Sequence, residues 1–221
     1  MRREGSLEEF SDGRLYQRTD MVRANCMDCI GCSDCCKGMG NTVQLDPLDV
    51  HRLRCETGKE LQQLTQVGAV QLTVVDGMVL PSLGMSGEKN ACYFLNTQGR
   101  CSIHKARPGI CRLFPLGRVY ENGGFSYFLQ VNECSMKKRS KIKVEKWIDT
   151  PDLAKYEVFV KNWHYLLKDI EQWLQENGME HQKQMATTVL QFFYENPYQS
   201  VAFYEEFEQR RIKFRRAFSM T

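Results

Sequence analysis

Cys26-Met-Asp-Cys29-Ile-Gly-Cys32-Ser-Asp-Cys35-Cys36 is the stretch on which the reading of this chain turns. Thiols stepping by three along a segment that contains a glycine can converge on one point in space. That arrangement suits a zinc ion or an iron–sulfur cluster, both of which take sulfur ligands. Beyond the run stand Cys55, Cys92, Cys101, Cys111 and Cys134. Ten cysteines in an exported chain would signal a disulfide framework, but such scaffolds are small and poor in aromatic core, whereas 11% of these 221 residues are aromatic. Adjacent Cys35 and Cys36 also cannot bridge each other without distorting the peptide unit between them. Reduced thiols that hold metal are therefore expected.

Composition sets the frame for that metal. With 42% hydrophobic residues the chain can bury one good core, or one core with a satellite, so one or two domains are expected. The net charge of +3, from 30 basic against 27 acidic residues, is too balanced to imply a nucleic-acid partner by bulk charge. No stretch approaches the ~18 uninterrupted apolar residues of a membrane span, and no apolar segment follows the charged start MRREGSLEEF. A soluble, cytoplasmic protein with no membrane partner is the expectation, its partner being an unidentified protein or small molecule.

Three regions follow along the chain. Residues 1–20 are polar and rich in charge, and are expected to be a frayed or lightly docked, flexible N-terminus. Residues 21–149 hold every cysteine. Within them Thr42–Leu45 alternates like a short strand, and Asp46-Pro47 offers an N-cap with proline at the first helical position, giving a helix that ends at Thr57-Gly58. Asp76-Gly77 supplies the positive backbone angles of a two-residue hairpin turn between Leu72–Val75 and Met78–Leu80. A second hairpin, Cys92–Leu95 with Cys101–His104, would bring two thiols together at one end. A third joins Phe114–Val119 to Phe125–Val131 through Asn122-Gly123-Gly124. From residue 150 to 221 the apolar period becomes helical: Leu153, Tyr156, Val160, Trp163, Leu167, Ile170 and Leu174 form one stripe that stops at Asn177-Gly178, and two further helices follow. The expected fold class is α+β, a small cysteine-rich metal-binding domain of short hairpins and helices followed by a helical C-terminal segment.

Which thiols hold which metal is open from spacing alone. Cys26, Cys29, Cys32 and Cys36 reproduce a bacterial ferredoxin run, but Lys37 stands where that run has proline and no second run exists. Cys29, Cys32, Cys35 and Cys36 instead form C-x-x-C-x-x-C-C, followed by Cys92, by Cys101-Ser-Ile-His104, and by Arg107-Pro-Gly-Ile-Cys111-Arg112-Leu-Phe-Pro115. In these motifs the chain resembles the CxxCxxCC cysteine-cluster family, the YkgJ type, over about residues 24–135. The resemblance implies zinc or iron chelation, with Cys29, Cys32, Cys35, Cys36, Cys92, Cys101, Cys111 and Cys134 as the ligand set. Eight sulfurs are enough for two four-coordinate sites or for one cluster with a structural metal. The family includes a flagellin lysine-N-methylase. The resemblance therefore also carries an enzyme reading: a protein-lysine N-methyltransferase that uses an iron–sulfur cluster, of the [4Fe–4S] type, together with S-adenosylmethionine, or else an oxidoreductase. Cys26, Cys55 and His104 inherit no role from it.

A thiolate site is anionic, so cations beside it should matter. Arg107 and Arg112 bracket Cys111 and are expected to tune the metal centre or to bind an anionic substrate, because planar guanidinium donors reach sulfur and carboxylate well. Glu88, Lys89 and His104 would join them in any pocket beside the metal. Cys55, on a short helix, and Cys26, outside a run complete without it, read as packed or spare. The basic stretches at Lys137–Lys146 and Arg210–Arg216 read as solvated faces, the second stapled by Glu206–Arg210 and Glu208–Arg211 pairs along one helix.

Overall fold

The computed structural model describes residues 6–26, 32–136 and 138–220. It shows mixed helices and small antiparallel sheets, an α+β architecture with a helical C-terminal segment. Each pleated piece is short, so the elements are joined by turns whose chemistry is visible in the sequence.

A short helix, α1 (Leu7–Phe10), leads into β1 (Ser11–Tyr16) and β2 (Met21–Asn25). Strand β1 is the edge of a three-stranded sheet, pairing antiparallel with β8 (Gly124–Gln130), which pairs in turn with β7 (Leu116–Glu121). Of the start expected to be frayed or lightly docked, residues 11–16 are thus docked as an edge strand. A charged strand exposed over residues 12–15 reads as loop, yet its backbone groups complete the open edge of the β7–β8 hairpin, and its charges help blunt that edge. Strand β2 pairs with β9 (Ser140–Lys143), a contact between distant segments that no local pattern announces.

The hairpin of β3 (Val70–Val75) and β4 (Met78–Leu83) turns at Asp76 and Gly77, both at positive φ, and the β7–β8 hairpin turns at Asn122 and Gly123 in the same way. The strand expected at Thr42–Leu45 shrinks to one bridge, Gln44 to Ser82, along the side of β4. The hairpin expected at Cys92–His104 likewise shrinks to a bridge between Leu95 and Cys101, because the Asn96 side chain accepts from the Gln98 and Arg100 amides and closes a compact loop there. Cys92 pairs instead in the two-residue strands β5 (Met85–Ser86) and β6 (Ala91–Cys92).

Helix α2 (Pro47–Thr57) is capped as its sequence indicates: the Asp46 carboxylate accepts from the Asp49 amide, Asp49 answers by accepting from the Asp46 amide, and Gly58 ends the helix in the left-handed region. Helix α3 (Leu61–Gln66) and helix α4 (Gly109–Leu113) are one to two turns long, and α5 (Val144–Ile148) follows β9 directly. The long amphipathic helix α6 (Leu153–Asn177) ends at Gly178; α7 (Gln182–Leu190) runs on as a π-helical turn over Gln191–Glu195, and α8 (Phe203–Ala217) closes the chain.

Trp163, Phe193 and Phe207 pack edge-on and tilted at centroid separations of 5.4 to 6.3 Å at the centre of the helical part. This core is continuous with Leu45, Leu48, Leu53, Leu64 and Leu83 of the cysteine-bearing part. The Tyr194 hydroxyl donates to the Leu45 carbonyl at 3.0 Å, joining the two. Between residues 24 and 135, apolar side chains from α2, α3 and the β3–β4 hairpin are buried in this core. Among the described residues no helix is long and apolar enough to cross a membrane.

Candidate metal centre

No disulfide joins the nine described cysteines. Cys29 lies outside the described residues, and the others of the expected set fall into two groups that meet at the Cys35–Cys36 step.

The first group contains Cys36, Cys92, Cys101 and Cys111, drawn from well-separated parts of the chain. A 3₁₀ turn over Asp34–Cys36 is followed by Lys37, which bridges Ala91 in antiparallel fashion, while the Gly38 amide donates to the Asn90 carbonyl at 2.9 Å. Gly38 has a φ of 70°, a conformation that few residues with a side chain adopt. This one bridge sets Cys36 beside Cys92. The Leu95–Cys101 bridge carries Cys101 to the same place. Cys111 arrives on α4, whose first amide, Gly109, donates to the buried Asp49 carboxylate at 2.7 Å. Gly109 is required there, since a Cβ would stand 2.1 Å from the Tyr156 hydroxyl.

Each of the four sulfurs lies within electrostatic reach of others in the group. Cys92 is raised to about 11, by burial first and with the Cys36 and Cys101 thiols contributing. Burial raises Cys101, with Cys36 adding to the rise and Arg107 opposing it. Burial drives Cys111 well above the ordinary thiol range, with Asp49, Cys92, Cys36 and Cys101 all contributing. Cys36 moves the other way, to about 7, because the Cys35 thiol hydrogen-bonds to it and Lys37 stands beside it, against an opposing effect of burial. One sulfur is thus close to ionising at neutral pH, and three are held protonated by burial and by each other.

The second group lines a small cavity of about 20 Å³ with Cys26, Cys32, Cys35 and Cys134, flanked by Asp34 and Glu133 and closed by Phe114, Pro115 and Met136. Cys32 Sγ stands 3.7 Å from the Ser135 hydroxyl, which brings the start of the cysteine run against the Cys134 loop. Cys26, read from sequence as packed or spare, is buried and lies among these sulfurs. Its position at the end of β2, pinned by the pairing of Asn25 with Ser140, is the signal that spacing alone could not carry. The ferredoxin-like set is divided, since Cys26 and Cys32 lie in this group and Cys36 in the other. Among the described residues no three His, Cys, Asp or Glu side chains are drawn in tightly enough to hold a metal ion as they stand. The donor chemistry nevertheless fits one: sulfur-only sets of this kind select zinc or iron–sulfur over hard cations.

The remaining candidates divide. The buried Arg112 guanidinium donates to the carbonyls of Arg107, of Asp149 at 2.7 Å, and of Lys105, so it ties three loop segments together. Arg107 donates to His104 Nε2 and stands within electrostatic reach of Cys101. His104, Arg107 and Arg112 line one open cleft, whereas Glu88 and Lys89 are exposed on the β5–β6 turn and line neither cavity. Cys55 is exposed on α2, with its sulfur 3.8 Å from His51 Nε2, away from both groups. The tail pairs as expected: Arg210 with Glu206 at 3.6 Å and Arg211 with Glu208 at 2.6 Å. Arg210 also stacks on Tyr198 at 3.7 Å and donates to three carbonyls, so this part of the basic tail is turned inward.

No curated protein and no solved structure matches the chain. A family model, CxxCxxCC, described as a "putative zinc- or iron-chelating domain", matches residues 28–147, more than half of the chain. The span runs from inside the cysteine run to α5, enclosing both sulfur groups except Cys26. With its C-x-x-C-x-x-C-C run and its gathered thiols inside that span, the chain belongs to the CxxCxxCC family.

Proposed function

We propose that this protein binds metal at two adjacent all-sulfur centres, one held by Cys36, Cys92, Cys101 and Cys111 and the other by Cys32, Cys35 and Cys134 with Cys26, Cys29 or both. The observation that carries this reading is the mutual electrostatic influence of four thiols drawn from residues 36, 92, 101 and 111. These thiols come from four separate segments inside the span of the matched family, and a thiol with a strongly perturbed proton affinity beside specific charged partners is a candidate for a functional site. The second cavity, about 20 Å³, has room for one water-sized body, and its sulfur lining suits a metal that takes thiolates. The first centre is the place for an iron–sulfur cluster if the protein has one. Metal binding there requires deprotonation of Cys92, Cys101 and Cys111, so affinity rises with pH and protons are released on loading.

A cluster-dependent enzyme, whether a redox protein or a lysine N-methylase, is the second reading, and the open cleft reached by Arg107 is what favours it. Anaerobic purification followed by elemental analysis and absorption spectroscopy tests both. Iron with sulfide and a broad band near ~400 nm supports a cluster at the first centre. Zinc alone supports chelation and defeats the enzyme reading, and protein free of metal defeats both. Cys111→Ser should lose the metal of one centre and Cys134→Ser that of the other.

A further inference from the structure

An open cleft of about 610 Å³, lined by His104, Arg107 and Arg112, falls within the ~300–1,000 Å³ range of small-molecule sites. Its charge is one-sided. Lys105, Arg107, Arg112 and Lys146 line it against a single carboxylate, Asp149. Lys105 and Lys146 are exposed, and among the described residues neither ammonium has a hydrogen-bond or ion-pair partner. The Arg112 guanidinium is fixed by its carbonyl bonds, so it contributes charge without being able to swing away. Trp147, with its indole N–H donating to the Leu113 and Phe114 carbonyls, stiffens one wall, and Ile142 and Pro151 add apolar surface.

Like charges held together in a concave site repel, and the field they focus is relieved by an anion. We propose that this cleft binds the phosphate group of a small molecule. Two flexible lysines and one fixed arginine suit a compact dianion approached from several sides, whereas a lone carboxylate would call for one planar fork. Arg107, which donates to His104 Nε2, adds a further positive charge to the wall. The inference stands on the cleft alone and holds whichever metal, if any, the sulfurs take.

The test is calorimetric titration of the full-length protein with inorganic pyrophosphate, and with acetate at matched ionic strength. Lys105→Gln/Lys146→Gln removes the two exposed cleft cations; Lys59→Gln/Lys213→Gln removes the same charge from exposed positions outside the cleft. Far-UV circular dichroism and metal content, unchanged in both variants, establish that the fold is intact. Pyrophosphate is expected to bind the wild type and the control variant alike, at least tenfold more weakly to the cleft variant, and more weakly as salt is raised, with acetate giving no comparable heat. Absence of pyrophosphate binding, equal affinity in the cleft variant, an equal loss in the control, or acetate binding as well as pyrophosphate overturns the proposal.

Discussion

Asp49→Ala should destabilise the protein and empty one sulfur group while sparing the other. Asp49 is buried, and its two carboxylate oxygens accept from the Gly109 amide at 2.7 Å and the Asp46 amide at 3.2 Å. Truncation leaves both N–H groups buried without a partner, at ~1–3 kcal/mol each, or ~2–6 kcal/mol together. Part of this is offset, because Asp49 is itself held out of water beside the Asp46 carboxyl, and burial raises its proton affinity. A net loss of ~2–4 kcal/mol follows. With a urea m-value of ~2–3 kcal/mol/M for a chain of this size, the midpoint should fall by ~1 M. The Gly109 amide opens α4, so Cys111 should lose its place and the metal of the first group with it, while the Cys26–Cys134 cavity keeps its own. Urea titration followed by circular dichroism, with metal analysis of the same preparation, reads both effects. A midpoint within ~0.2 M of wild type would show that the Asp49–Gly109 bond does not anchor the cysteine helix.

Other substitutions bear on neighbouring steps of the same reasoning. Gly109→Ala forces a methyl group against the Tyr156 hydroxyl and Asp49, and should lower metal content at the first group in elemental analysis even if the thermal midpoint moves only a few degrees. Burial, and then the Asp49 carboxyl, push Asp46 up to about 8, above its value in an unfolded chain; stability is fully present below about pH 4 and declines as pH rises toward 8, by at most ~1.4 kcal/mol per unit for one proton. Asp46→Asn keeps an acceptor for the cap and should flatten that decline in urea titrations run across pH 4–8; an unchanged slope would remove Asp46 as its source. Cys55→Ser should leave metal content and stability within error, whereas Cys111→Ser should lose metal, and equal behaviour would dissolve the division between exposed and gathered thiols.

Much of the fold was legible because local chemistry wrote it. Asp76-Gly77 and Asn122-Gly123 forced their turns, Asp46-Pro47 and Gly58 bounded α2, and a period of three to four ran without a break through α6. The parts that were not legible depend on pairing across long stretches. Strand β1 exists because the β7–β8 hairpin offers an edge, and β2 because β9 lies beside it, conditions that no window of residues contains. The sulfur groups divide the same way. The CxxCxxCC run and the Arg107–Pro115 block identified the cysteines, but the partition required the Lys37–Ala91 and Leu95–Cys101 bridges, and Cys26 joined only through the end of β2. Arg107 faces Cys101 electrostatically and donates to His104, while Arg112 holds backbone carbonyls, since nothing in the order of residues tells which acceptors a buried guanidinium will find.

The central claim is that sulfurs from distant positions share two metal centres. It is tested most directly by anomalous diffraction at the iron and zinc edges, on crystals of protein purified without air. The account predicts two separate anomalous peaks, one within ~2.3 Å of the Cys36, Cys92, Cys101 and Cys111 sulfurs and one among those of Cys26, Cys32, Cys35 and Cys134. A well-ordered crystal with no peak at either place, or with one peak that draws sulfurs from both groups, would contradict it.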